Sequence, residues 1–105
     1  MRSLKFVVNA QQISKDPECD FSGLVAGTKN YLKAYFTFSE EWKECKLAVS
    51  FWRGRKEYAY SLENGSCIIP PEVLTGATFS ISVTGQKGNY RITTNRVTVR
   101  QEVSR

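Results

Sequence analysis

The chain has 105 residues, 41% of them hydrophobic and 24% charged, and carries a formal net charge of +5. That length gives one domain over residues 1–105 with a modest core, and the composition is that of an ordinary globular protein. There is no histidine, which removes the commonest general base and the commonest metal ligand. Cys19, Cys45 and Cys67 show no C-x-x-C spacing. Three scattered thiols fall short of a four-thiolate zinc site and read as reduced cysteines. No cofactor or metal is expected. No run approaches the roughly 18 apolar residues of a membrane span, so no membrane partner is expected either.

Met1–Phe6 leads straight into strand alternation, without the apolar stretch and small-residue cleavage site of a secretory signal. Leu4, Phe6 and Val8 alternate with polar residues and predict a half-buried first strand. Residues 14–23, with Pro17, acidic side chains and Gly23, read as a loop, followed by a short edge strand around Phe21–Val25. Tyr31–Phe38 is the clearest strand: Leu32, Ala34, Phe36 and Phe38 face inward, Tyr31, Lys33, Tyr35 and Thr37 outward. Residues 39–43 form a corner that Ser39 is suited to cap as a single helical turn.

Lys46–Arg53 follows with Leu47, Val49 and Phe51 inward, Gly54 turns the chain, and Glu57–Leu62 returns as its hairpin partner. Asn64-Gly65 is the strongest hairpin signal, because both residues tolerate positive φ. Pro70-Pro71-Glu72-Val73-Leu74 reads as a one-turn helix opened by proline and stopped by Gly76. Thr78–Thr84 alternates again, and Gly85–Gly88 reads as a loop. A last strand, Tyr90–Val103, slips phase near Thr94-Asn95 and predicts a bulge there. Seven to nine short antiparallel strands with one short helical turn make an all-β sandwich.

The surface candidates are aromatic and basic. Tyr31, Tyr35 and Trp52, with Tyr58 and Tyr60 on the neighbouring strand, read as an aromatic stripe that could anchor a protein or stack on a sugar, or else as a second core face. Lys33 and the tip Arg53, Arg55 and Lys56 supply an electrostatic rim, or a plain solvated turn. Trp42 reads best as a plug over the open end of the sandwich. Arg91, Arg96 and Arg100 read as a charged edge; a nucleic-acid surface would need them beside aromatics on an open sheet. Glu40, Glu41 and Glu44 cluster on a turn with no cleft expected, and no segment assembles a nucleophile with its base, so no enzyme is expected.

The segments Tyr31–Phe51 with its Trp42-Lys43 corner, NGSCIIPPEVL (Asn64–Leu74), FSISVTG (Phe79–Gly85) and RITTNRVTV (Arg91–Val99) occur in that order. Together they resemble the small Ig-like domains of phages and prophages of Gram-positive bacteria, including the N-terminal domain of baseplate upper proteins. The resemblance implies an Ig-like or fibronectin-like sandwich, and a virion component at a tail, baseplate or capsid that contacts other phage structural proteins or itself. It supplies no catalytic residues. The alternative is a small cytoplasmic phage protein that binds a host protein or nucleic acid.

Overall fold

A computed structural model describes residues 1–103. Among them are nine strands: β1 (Arg2–Asn9), β2 (Gln12–Lys15), β3 (Leu32–Phe38), β4 (Lys46–Arg53), β5 (Lys56–Ser61), β6 (Ser66–Ile68), β7 (Thr78–Lys87), β8 (Tyr90–Thr93) and β9 (Val97–Arg100). They form a four-stranded sheet, β2-β1-β3-β6, and a five-stranded sheet, β5-β4-β7-β8, in which β9 also pairs with β7. The chain crosses between sheets after β3, β5 and β6. Single 3-10 turns at Glu40–Trp42 and Pro71–Val73 sit where the corner and the proline-opened turn are expected.

Alternation decides what is buried. Leu4, Phe6, Val8, Leu32, Ala34 and Phe36 project from the first sheet into one cluster with Val49, Phe51, Phe79, Ile81, Val83 and Val99 from the second. Two sheets each offering one apolar face have to be stacked to hide it, which is the all-β, sandwich-like solution. The ends are closed by Trp42, Leu24, Leu62, Ile69, Val73 and Leu74. Trp42 is 2% exposed and donates its indole N–H to the Ala10 carbonyl at 2.8 Å. It lies on Gly85, where a Cβ would come within 2.9 Å of the indole. Gly85 is therefore not the start of a loop: β7 runs through it to Lys87, its missing side chain making the seat for the plug.

One pair departs from the antiparallel expectation. β1 and β3 are parallel, with Arg2 beside Leu32 and Val8 beside Phe38. A parallel pair needs a long return path, and here β2 together with residues 16–31 provides it. The β1–β2 hairpin itself escaped the sequence pattern because its turn, Ala10-Gln11, carries no glycine, asparagine or proline; Ala10 nonetheless takes φ 52°. The short edge strand expected at Phe21–Val25 is reduced to an isolated parallel bridge between Val25 and Glu102. Leu24 is drawn into the core there, and a buried plug interrupts pairing.

Asn64 and Gly65 do take positive φ, 55° and 71°, but the turn hands the chain from β5 in one sheet to β6 in the other. Its pairing is a single bridge, Glu63 to Ser66. The break at Thr94-Asn95 is confirmed. The Thr94 hydroxyl accepts from the Val83 amide at 3.0 Å, replacing a ladder carbonyl, and the Asn95 side chain accepts from the Ile13 amide at 2.9 Å, tying β2 to the second sheet.

The 16–31 segment is held by Arg2, whose guanidinium donates to the Asp20 and Ser22 carbonyls at 3.0 and 2.6 Å. The Ser22 hydroxyl and amide both donate to the Asp20 carboxylate and hold its pKa below the usual value. A carboxyl depressed in the folded state stabilises above its unfolded pKa and loses that contribution as pH falls through the folded one. Asp20→Ala is therefore expected to melt below wild type at neutral pH, the gap closing as pH falls below the ordinary aspartate value of 3.8. Melting curves of the two chains from neutral pH to below that value check this.

Candidate interaction site

The residues expected to form one aromatic stripe belong to three places. Tyr31, Lys33 and Tyr35 stand on the outer side of the four-stranded sheet, just before or within β3. Trp52 stands on the outer side of the opposite sheet. It pairs with Ser80, and its indole N–H donates to the Ser82 hydroxyl at 3.0 Å. Tyr58 and Tyr60 lie opposite the inward residues Phe51 and Val49, so they hang from the edge strand β5 towards the seam between sheets. The Tyr60 ring is 6.1 Å from that of Phe51. Burial, followed by the Glu72 carboxylate, raises the Tyr60 phenol above its ordinary pKa. Burial likewise pushes the Cys67 thiol up. Tyr58 packs against the core, and Tyr60, on the same side of β5, stays 40% exposed. The side of the five-stranded sheet that carries Trp52 is shared on β5 by Glu57, Ala59 and Ser61, so Tyr58 and Tyr60 do not join Trp52 on one face.

Arg53, Arg55 and Lys56 are exposed at the β4–β5 turn. Arg53 lies over Gly76, and the Lys56 ammonium sits 5.7 Å from the Tyr58 ring. Glu40, Glu41 and Glu44 are solvated: Lys43 pairs with Glu40 at 3.6 Å and Lys87 with Glu44 at 3.4 Å, while the Ser39 hydroxyl, donating to Glu41, lowers that carboxyl's pKa. Exposed pairs of this kind contribute little to stability.

What the fold does assemble is an apolar patch on the four-stranded sheet. Across β1, β3 and β6 the outward rows read Ser3–Lys33–Ile68 and Lys5–Tyr35–Ser66. Tyr31, Tyr35 and Ile68 are 48%, 36% and 37% exposed, large for apolar groups on neighbouring strands. The Lys33 ammonium lies 5.3 Å from the Tyr35 ring, and Lys5 flanks it on β1. Aromatic and aliphatic anchors ringed by long cationic side chains make the composition of an interface centre with a polar rim. Ile68 is the member missed from sequence. Of the adjacent Ile68 and Ile69 one has to point outward, and pairing of Cys67 with Ala34 decides that it is Ile68.

The outer side of the five-stranded sheet is different. Its central rows, Ser61–Ala48–Thr84–Thr93 and Ala59–Ser50–Ser82, are all small. Lys46, Gln86, Arg91 and Glu57 rise around them to leave a concavity of about 790 Å³. No family model matches this chain, and neither a curated protein nor a solved structure matches it.

Proposed function

We propose that this chain is a non-enzymatic, Ig-like structural module of a phage particle, bound to other phage proteins through the outer face of its four-stranded sheet. The phage assignment rests on the ordered resemblance of Tyr31–Phe51, Asn64–Leu74, Phe79–Gly85 and Arg91–Val99, and the two-sheet architecture accords with it. The observation that carries the binding reading is the Tyr31, Tyr35 and Ile68 patch. Buried tyrosines with an aliphatic neighbour supply most of the energy of an interface, and Lys5 and Lys33 form its rim.

Particles purified from the source phage or prophage and analysed by mass spectrometry are expected to contain the chain at a fixed, multi-copy ratio to tail, baseplate or capsid proteins. Its recovery only from the infected-cell lysate would overturn the particle reading and favour a small cytoplasmic protein acting on a host partner.

A further inference from the structure

The five-stranded sheet carries a second surface that the particle reading does not use. Its outward rows end in cations. Lys46, Gln86 and Arg91 share one row, and Arg100 stands beside Thr78 at the other end. Between them Arg96 lays its guanidinium flat on Trp52, 3.6 Å from the ring centroid. Lys46, Arg91, Arg96 and Arg100 are all exposed, and none of the four forms an ion pair among the described residues. Two acids also border this face: Glu57, the register partner of Trp52, accepts from the Ser50 hydroxyl, and Glu44, beside Lys46 in the concavity, pairs with Lys87. Four cations without an ion-pair partner among the described residues border a floor of small side chains, Ala48, Ser50 and Thr84, on which a chain can lie.

We propose that this face binds single-stranded nucleic acid, whose phosphates would run from Lys46 and Arg91 past Arg96 to Arg100 while a base stacks on the Arg96 guanidinium that Trp52 holds flat. The charge of the face calls for a polyanion, and two features choose which one. An acidic peptide in extended form gains its affinity from main-chain pairing along a strand edge, whereas these cations stand on the face itself. Arg96, held on Trp52, also presents a flat guanidinium plane on which a base can stack, whereas a carboxylate would use only the guanidinium edge. Open sheets bearing an aromatic platform and a basic track bind single strands in this manner. From Lys46 to Trp52 is six residues of strand, about 20 Å, enough for a few nucleotides. The face points away from Tyr35 and Ile68, so the inference goes beyond the particle reading and stands apart from it.

The test is fluorescence anisotropy of labelled oligothymidylate and oligouridylate of about 15 nucleotides, with the full chain, at salt from about 50 to about 200 mM. Four phosphate contacts predict a slope of log affinity on log salt of about −2.8, at ~0.7 for each contact. The doubly substituted Arg91→Gln, Arg96→Gln chain, altered only at exposed positions, should lose about 1.4 of that slope and keep its melting temperature. Trp52→Ala should bind about tenfold more weakly, and Trp52→Phe should restore much of the loss. Absence of binding at the lowest salt, unchanged affinity in the arginine variant, or equal competition by polyglutamate would each overturn the proposal, the last by assigning the face to acidic peptides. Preference for one oligonucleotide over the other supports it and identifies the strand as DNA or RNA.

Discussion

Trp42→Ala is expected to destabilise the domain by about 3–5 kcal/mol, the range for deleting a buried aromatic side chain. The indole is almost wholly enclosed, its ring 5.5 Å from that of Phe38, and its N–H satisfies the Ala10 carbonyl in the β1–β2 turn. Alanine would leave three defects together: a cavity over Gly85, an unpaired carbonyl, and a turn whose left-handed Ala10 has lost its anchor. A domain of this size has about 5–15 kcal/mol in total, so the loss is a large share of it. The melting temperature should fall by about 12 °C or more. Thermal unfolding followed by near-ultraviolet circular dichroism checks this directly, and Trp42→Phe should fall between the two. A shift of one or two degrees would mean that the indole does not close the sandwich.

Tyr31→Ala with Tyr35→Ala is expected to remove partner binding and leave the fold intact. Both side chains are among the most exposed aromatics of the chain, and neither belongs to the buried cluster. Truncation should therefore cost little stability. At an interface centre each tyrosine is worth about 2 kcal/mol, so affinity for the particle partner should drop by more than a hundredfold. Co-sedimentation of the purified variant with particles that lack the chain measures this, with the melting curve as control. Ile68→Ser should act in the same direction. Undiminished binding would mean that the four-stranded sheet is not the contact face.

The core was legible because it is written in period two. Leu32, Ala34 and Phe36, or Phe79, Ile81 and Val83, alternate without exception, and hydrophobic burial follows the alternation. The plug at Trp42 was legible for the same reason, as a large apolar group with nowhere else to hide. What sequence could not supply is which strand lies beside which. The parallel β1–β3 pair, the Val25–Glu102 bridge and the span between Asn95 and Ile13 are all non-local, and no local pattern encodes them.

The surface suffered most from this. Tyr58 and Tyr60 alternate correctly with Glu57, Ala59 and Ser61, yet only the register with Phe51 and Val49 says which set faces out. The aromatic stripe consequently divided between two sheets and a seam. Conversely, the condition set for a nucleic-acid surface, arginines beside an aromatic on an open sheet, is met by Arg96 on Trp52. Those residues are 44 positions apart in sequence and meet only because β4 and β9 both pair with β7.

The proposed function puts this domain in a particle with its tyrosine face against a second structural protein. A photo-crosslinking amino acid placed at position 35 and activated in assembled, purified particles tests it most directly. A crosslink to a second structural protein of the particle is expected from position 35, and none from position 59 on the opposite sheet. Particles that lack the chain, or that crosslink from position 59 and not from 35, would contradict it.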